Sequence, residues 1–457
     1  MPEKTSGFLR HLLGQVAGQG RGLFDWAFRS TAPAPLEQAP LVELVRLLLS
    51  TRGEASGVAI AREIMTRYAT APKTERVAFL VALAENFTAD AERIRAAYAD
   101  YLREPSELHL YRLGQSAEPP RQDALRRLNL APGNTLGLVR MREDLLEALP
   151  AHPVLAGLDR DFVHLFASWF NRGFLMVRRM EWSSPAHILE KIIRYEAVHE
   201  IRSWDDLRRR IDPPDRRCYA FFHPSLADEP LIFVEVALTR EMPSAIEPIL
   251  AENRAPLPPE QATHAVFYSI SNCQKGLSAI SFGSFLIKQV VEELRRDLPA
   301  LSTFVTLSPV PGFRNWVERQ RAEADSPFLA PEDRAVLDDA EDERLDAPDL
   351  APFRAVTERL LARYFLEART PQGRVIDPVA RFHLGNGARL ERLNPLADFS
   401  DKGWRESYAA MVNYLYDLTA IEENHEKFAI RGLVTASASV QEAARIAPPA
   451  LRRKQAS

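Results

Sequence analysis

The hydrophobic periodicity of this chain changes once, near residue 170, and that change demands two architectures in one polypeptide. Leu41 to Leu49, Gly57 to Tyr68, Thr74 to Ala84, Asp90 to Leu102, Leu136 to Leu149 and Asp159 to Phe170 carry apolar residues at helical spacing. Strand-like alternation is nearly absent before residue 170, and Pro33 to Pro40 and Pro119-Pro120 punctuate the helices. After about Arg172 the texture differs: Arg217 to Phe222, Leu231 to Leu238, Ala265 to Ile270 and Thr303 to Leu307 read as strands. Between the last two, Gly283 to Leu298 reads as a helix with Ile287, Val290, Val291, Leu294 and Leu298 on one face. The pattern predicts an α+β protein of two domains. Residues 1–170 are expected to form an all-helical scaffold or oligomerisation domain, and residues 171–457 a mixed α/β domain. A further helix is expected over Phe353 to Phe365, and the acidic stretch Asp333 to Asp349 reads as a mobile surface insertion.

Bulk properties exclude several classes. A chain of 457 residues with 46% hydrophobic content can build two cores. Its 58 basic and 62 acidic residues give a net charge of −4, without the basic excess of a nucleic-acid binder. Cys218 and Cys273, the two cysteines, supply neither a disulfide framework nor zinc-type spacing. Met1 to Phe28 lacks a signal-peptide core, and the longest apolar run, about Val77 to Ala84, is far short of the roughly 20 residues a membrane helix needs. A cytoplasmic protein with no nucleic-acid or membrane partner is expected.

Three segments can carry chemistry. In Thr306-Leu307-Ser308-Pro309-Val310-Pro311-Gly312-Phe313 a buried strand runs into a hydroxyl and a rigid turn. Pro309 and Pro311 cannot donate to a ladder, so the strand is expected to stop at Ser308. The segment reads either as an ordinary turn or as a hydroxyl held ready for a substrate. The loop Gln274 to Ser284 lies between a strand and a helix start, where free backbone N–H groups and Gly276 and Gly283 would suit a phosphate. The alternative is a capped helix start after a flexible turn, since neither a dinucleotide fingerprint nor a P-loop is present. Gly276-Leu277-Ser278-Ala279-Ile280 lacks the final glycine of a hydrolase elbow. His383, between Phe382 and Leu384, is either a structural histidine or a proton donor near neutral pH; no third group of a triad is identifiable.

Taken together, ordered blocks of the chain resemble malonyl-CoA decarboxylases. They are His223 to Leu238, Phe267 to Ser278, Phe285 to Val291, Leu307 to Phe313, Phe382 to Ala388 and Met411 to Tyr416. The resemblance covers roughly residues 165 to 420. The chain departs at Ala279, where many relatives have glycine, and at Ser281, acidic in animal members. It departs again in Ser407-Tyr408-Ala409-Ala410, where glycine and leucine commonly fill the last two positions.

The resemblance implies a catalytic domain similar to the GNAT-type acetyltransferase fold and conversion of malonyl-CoA to acetyl-CoA and CO2 without metal or organic cofactor. It matches Ser308 and His383 to the catalytic serine and histidine. Ser278, Ala279, Ile280, Ser281, Phe282, Gly283 and Ser284 match the acyl-CoA-binding loop, and Asn413 and Tyr416 match polar groups near the site. Lys275 or Lys288 would contact CoA phosphates. Ser308 would orient the carboxylate or thioester, and His383 would protonate the enolate carbon. The resemblance also suggests a homodimer or homotetramer assembled through the helical domain. The alternatives are an acyl-CoA acyltransferase or thioesterase using the same CoA site, or a non-catalytic CoA-binding scaffold.

Overall fold

The computed structural model describes residues 39–50, 53–280, 285–342 and 350–445. Expectations for Met1 to Phe28, for Ser281 to Ser284 and for residues 343–349 lie outside the described residues. The chain divides into two compact units. One holds the described residues up to Leu175 together with His223–Ala227 and Gln274–Ser281; the other holds the rest.

The first unit is helical, as its period predicts: α1 (Leu41–Ser50), α2 (Glu54–Thr70), α3 (Lys73–Asn86), α4 (Ala91–Arg103), α5 (Glu107–Ala117), α6 (Pro120–Asn129), α7 (Asn134–Ala148) and α8 (Leu155–Trp169). Leu48, Ile60, Ile64, Leu80, Leu128, Leu138, Leu145, Leu158 and Phe162 are buried and form its core. Asp90 and Ser106 cap α4 and α5 by accepting backbone N–H groups of the first turn. These two helices bury no residue.

The second unit is built on an eight-stranded sheet, counted among the described residues: β1 (Met176–Met180), β2 (Arg216–Phe222), β3 (Pro230–Thr239), β4 (His264–Asn272), β5 (Thr303–Thr306), β6 (Ser308–Pro309), β7 (Arg389–Asn394) and β8 (Met411–Leu415). The order is β1-β2-β3-β4-β5-β8-β6, with β7 also paired to β8. Every pair is antiparallel except β4 and β5. Those two run parallel because a helix carries the chain between them. The helices are α9 (Ala186–Tyr195), α10 (Trp204–Ile211), α11 (Glu247–Leu250), α12 (Phe285–Asp297), α13 (Phe313–Ala322), α14 (Pro331–Asp342), α15 (Ala351–Leu366), α16 (Pro378–Gly385), α17 (Asp401–Ser407), α18 (Ile421–Arg431) and α19 (Ala438–Arg445). Ile188, Leu189, Ile192 and Leu207 pack on Cys218, Phe222 and Phe233 in one core cluster. Val266, Val305, Leu307 and Met411 share another. A helical part followed by a mixed sheet-and-helix part is the expected architecture, and it is the one observed.

Two expectations are corrected. The strand does not stop at Ser308: it breaks at Leu307 and resumes as β6, pairing Ser308 with Val412 and Pro309 with Met411. Proline fits because β6 pairs with β8 alone, and a one-sided strand tolerates a residue with no N–H. The acidic stretch is, up to Asp342, helix α14, with Leu337 and Asp333 buried. Asp333 is paired to Arg359 Nη2 at 2.5 Å and accepts the Ala330 N–H at 2.9 Å, so this charge is anchored rather than solvated. His383 lies on a helix, α16, which the short run Pro378 to Gly385 did not announce as one. Strands β1 and β7, mixed with arginines, and the short β8 were also absent from the sequence reading.

Candidate active site

Ser308 and His383, 75 residues apart in sequence, meet in the second unit: Ser308 Oγ lies 3.2 Å from His383 Nε2. Each is held from a different element. The β6–β8 pairing fixes Ser308. Asp377, whose carboxylate accepts the Ala380 N–H at 2.7 Å, caps the short helix that carries His383. Asn386 and Ala388 close the other end by donating to the His383 carbonyl, each at 3.1 Å. Gly387 has φ +81°, and a Cβ there would stand 2.1 Å from the Ile421 carbonyl oxygen, so the turn after α16 requires glycine.

Both flanks of the imidazole are aromatic. Tyr414 stacks on it with ring centroids 4.6 Å apart and planes 23° from parallel. Tyr416 offers its hydroxyl to Nδ1 at 2.8 Å. Phe382 points outward, half-exposed, while His383 itself is buried. Burial alone drives the imidazole pKa from 6.5 down to about 3, so the ring is neutral, not poised near neutrality as a lone histidine in sequence suggests. Burial also pushes the Tyr416 phenol well above its ordinary 10 and keeps it protonated.

The hydroxyls form one chain. Because the Ser308 O–H is given to Thr306, its oxygen is left to accept from Nε2; with the imidazole proton there, Nδ1 accepts the Tyr416 O–H. Ser308 O–H donates to Thr306 Oγ1 at 2.9 Å, and Thr306 Oγ1 also accepts the Tyr414 N–H at 3.1 Å. In a serine hydrolase the imidazole takes the hydroxyl proton, with a carboxylate behind it. Here a phenol stands behind the ring and the polarity is reversed.

Asn413, fully buried, sits beside this chain. Its Nδ2 donates to the Thr306 carbonyl at 2.8 Å and the Pro243 carbonyl at 3.2 Å. Its Oδ1 accepts from Arg392 Nε at 3.0 Å and Asn394 Nδ2 at 2.8 Å. All four capacities of the amide are engaged within the protein. Thr306 and Tyr414 were missed from sequence. Strand alternation was the available signal for Thr306, since residues 306 and 308 are two apart.

Ser278, Ala279 and Ile280 belong to the first unit. Lys275, Gly276 and Leu277 form a 3₁₀ turn, and Ala279 follows at φ +66°, a left-handed conformation that favours glycine. Gly276 does make a close approach, but to helix α7: a Cβ would lie 1.9 Å from the Val139 carbonyl oxygen. Lys275 is exposed, whereas Lys288 in the second unit is paired with Glu422. Among the described residues no group of three or more His, Cys, Asp or Glu side chains could hold a metal ion. No helix among them is long and apolar enough to cross a membrane.

Comparison with known proteins gives the family. The malonyl-CoA decarboxylase C-terminal domain family matches residues 173–455, and the corresponding N-terminal domain family matches residues 87–170. The chain belongs to the malonyl-CoA decarboxylase family. The goose (Anser anser anser) mitochondrial malonyl-CoA decarboxylase is 35% identical over 384 residues, covering 77% of this chain and 76% of its own. The mouse mitochondrial enzyme is 35% identical over 336 residues, 67% of each chain. The crystal structure of malonyl-CoA decarboxylase from Rhodopseudomonas palustris shares 54% identity, with a TM-score of 0.85 over 90% of this chain and all of that one. The Agrobacterium vitis structure shares 55% identity, again with a TM-score of 0.85, over 89% of this chain and all of that one. The two matched regions take in the sheet unit and helices α4 to α8 of the first.

Proposed function

We propose that this protein converts malonyl-CoA to acetyl-CoA and CO2, with Ser308 as the orienting hydroxyl and His383 as the proton donor. The hydrogen-bond chain Tyr416–His383–Ser308 carries the reading, because it sets a hydroxyl and an imidazole side by side with a phenol, not a carboxylate, behind the ring. Family membership supplies the substrate class.

In the reaction the bond between the α-carbon and its carboxylate breaks, and the electron pair passes into the thioester as an enolate. Ser308 holds the carboxylate or the thioester oxygen so that the breaking bond stays aligned with the carbonyl π-system. A thioester enolate is a stronger base than an imidazolate, so a neutral imidazole can protonate its carbon from Nε2. As Nε2 loses its proton, Nδ1 takes the Tyr416 proton, and no buried imidazolate builds up. One solvent proton then restores Tyr416. Asn413 acts at one remove, bracing the strand end that carries Thr306. Ser278 to Ser284 binds the acyl-CoA chain, whose remote contacts hold the malonyl group in place.

The same proposal includes assembly of copies through the helical region. Helices α4 and α5 expose Tyr98, Leu102, Leu108, Leu110 and Tyr111, each more than half accessible, on two helices that bury nothing of their own. That apolar surface fits a second copy. Light scattering of the wild type and of a Leu102→Glu, Leu108→Glu variant tests it: an unchanged mass would remove this surface from the proposal.

Product analysis tests the chemistry. Purified protein given malonyl-CoA is expected to form acetyl-CoA and CO2 in equal amounts. Release of malonate and free CoA would identify a thioesterase, and transfer of the acyl group to an added amine an acyltransferase; either overturns the proposal.

A further inference from the structure

The loop that includes Ser278 is shaped from beneath by a buried arginine of the helical unit. Arg142, on α7, is 1% exposed. Its Nη1 donates to the carbonyl oxygens of Gly276 at 2.7 Å and Ser278 at 2.8 Å, and its Nε donates to Asp159 Oδ1 at 2.9 Å. Glu143, the next residue on α7, accepts the Gly276 N–H at 3.3 Å. Gly276 itself lies so close to the helix that a Cβ would meet the Val139 carbonyl. The loop is thus fastened to α7 at three points across three residues.

This fastening has a directional consequence. A trans peptide places its C=O and N–H on opposite sides, and no cis peptide occurs among the described residues. With the Ser278 carbonyl drawn inward to Arg142, the Ala279 N–H of the same peptide is turned away from the helix. Ser278 and Ala279 are both exposed. Ala279 holds φ +66°, a conformation an alanine does not choose unaided. Arg142 has no surface of its own to offer a substrate: its guanidinium is spent on two loop carbonyls and on Asp159.

We infer that Arg142, with Asp159 holding its guanidinium, is the positioning residue that turns the Ala279 N–H outward to donate to an oxygen acceptor of the acyl-CoA chain. The inference rests on the reading of Ser278 to Ser284 as the CoA loop. In this reading the helical unit serves affinity for substrate, beyond any part in assembly. The acceptor is either a pyrophosphate oxygen or an amide carbonyl of the pantetheine arm, both of which accept an N–H in the same way.

Steady-state kinetics of Arg142→Lys and Asp159→Asn, after circular dichroism shows native helicity, test the inference. Lysine keeps the charge but cannot hold the two-carbonyl fork together with Asp159. The Asp159→Asn change leaves the guanidinium in place and loosens its aim, so it serves where the Arg142→Lys variant fails to fold. KM for malonyl-CoA is expected to rise roughly 5- to 50-fold in each, with kcat within about threefold of wild type, as loss of one charge-assisted positioning contact gives. Repeating the measurement with malonyl-pantetheine separates the acceptors: a retained effect assigns the pantetheine carbonyl, a vanished one the pyrophosphate. Unchanged KM in both variants, with only a lower melting temperature, would make Arg142 a structural residue and overturn the inference. Ser278→Asp controls for the underlying reading. If it too leaves acetyl-CoA affinity unchanged, the loop does not bind CoA; if it weakens binding while the other two variants do not, the inference alone fails.

Discussion

The Tyr416 hydroxyl lies 2.8 Å from His383 Nδ1, and this contact decides which nitrogen of the ring presents a proton to Ser308. Tyr416→Phe frees Nδ1 to take either tautomer. The expected result is a fall in kcat of about 10- to 100-fold, the lower part of the range for proton-transfer groups, with KM nearly unchanged. A kcat equal to wild type would show that the phenol does not set the tautomer.

Removing the acceptor at the end of the chain has two effects. Thr306→Val leaves the Ser308 hydroxyl and the Tyr414 N–H without their buried partner. A destabilisation of about 1–3 kcal/mol is expected, measured by urea unfolding, together with reduced turnover. Full activity in a destabilised variant would separate Thr306 from the chemistry.

The pH dependence of stability has a definite sign. The folded-state pKa of His383, about 3, lies below its ordinary 6.5. The unfolded chain therefore binds the extra proton between those values, and the contribution to stability is full above about pH 6.5 and is lost as pH falls towards 3. Asp377 acts in the opposite direction: burial raises it from 3.8 to about 6, so its contribution is lost as pH rises through that window. Comparing wild type with His383→Asn isolates the first effect. The difference in unfolding free energy between pH 7 and pH 5 is expected to shrink in the variant. An identical slope would mean that the ring already titrates in the folded protein as it does in water.

The left-handed alanine in the loop gives a simple test. A non-glycine residue at φ +66° costs roughly 1–2 kcal/mol, while glycine loses back about 0.4–1 kcal/mol through its freedom in the unfolded chain. Ala279→Gly is therefore expected to stabilise by up to about 1 kcal/mol, and Gly276→Ala to destabilise by about 1–3 kcal/mol through its clash with Val139. Denaturation midpoints moving in the reverse directions would contradict both.

Much of this was legible beforehand. The helical period before residue 170 and the strands at Arg217, Leu231, Ala265 and Thr303 follow from local pattern, because most of those helices bury an apolar face and those strands are largely buried apolar runs. Positions 279 and 409, where relatives commonly carry glycine, both prove to have positive φ, so the departures marked a backbone constraint. The contacts of His383 had no local signature: the resemblance named Ser308 and Tyr416, but they reach the ring from β6 and from just past β8, through long-range register. The charges of helix α14 read as solvated in sequence, while Arg359, 26 residues past Asp333, neutralises the buried one. The purpose of Gly276 was hidden for the same reason, since its neighbour Val139 lies far back in the chain.

The rate of acetyl-CoA formation from malonyl-CoA by His383→Asn, set against the wild type at equal folded concentration, tests the central claim most directly. Asparagine keeps a hydrogen-bonding amide in the site but is a far weaker proton donor to carbon. Wild-type turnover with a loss of about 10²- to 10⁴-fold in the variant is the expected result. A variant that makes acetyl-CoA at close to the wild-type rate would contradict the assignment of His383 as the proton donor.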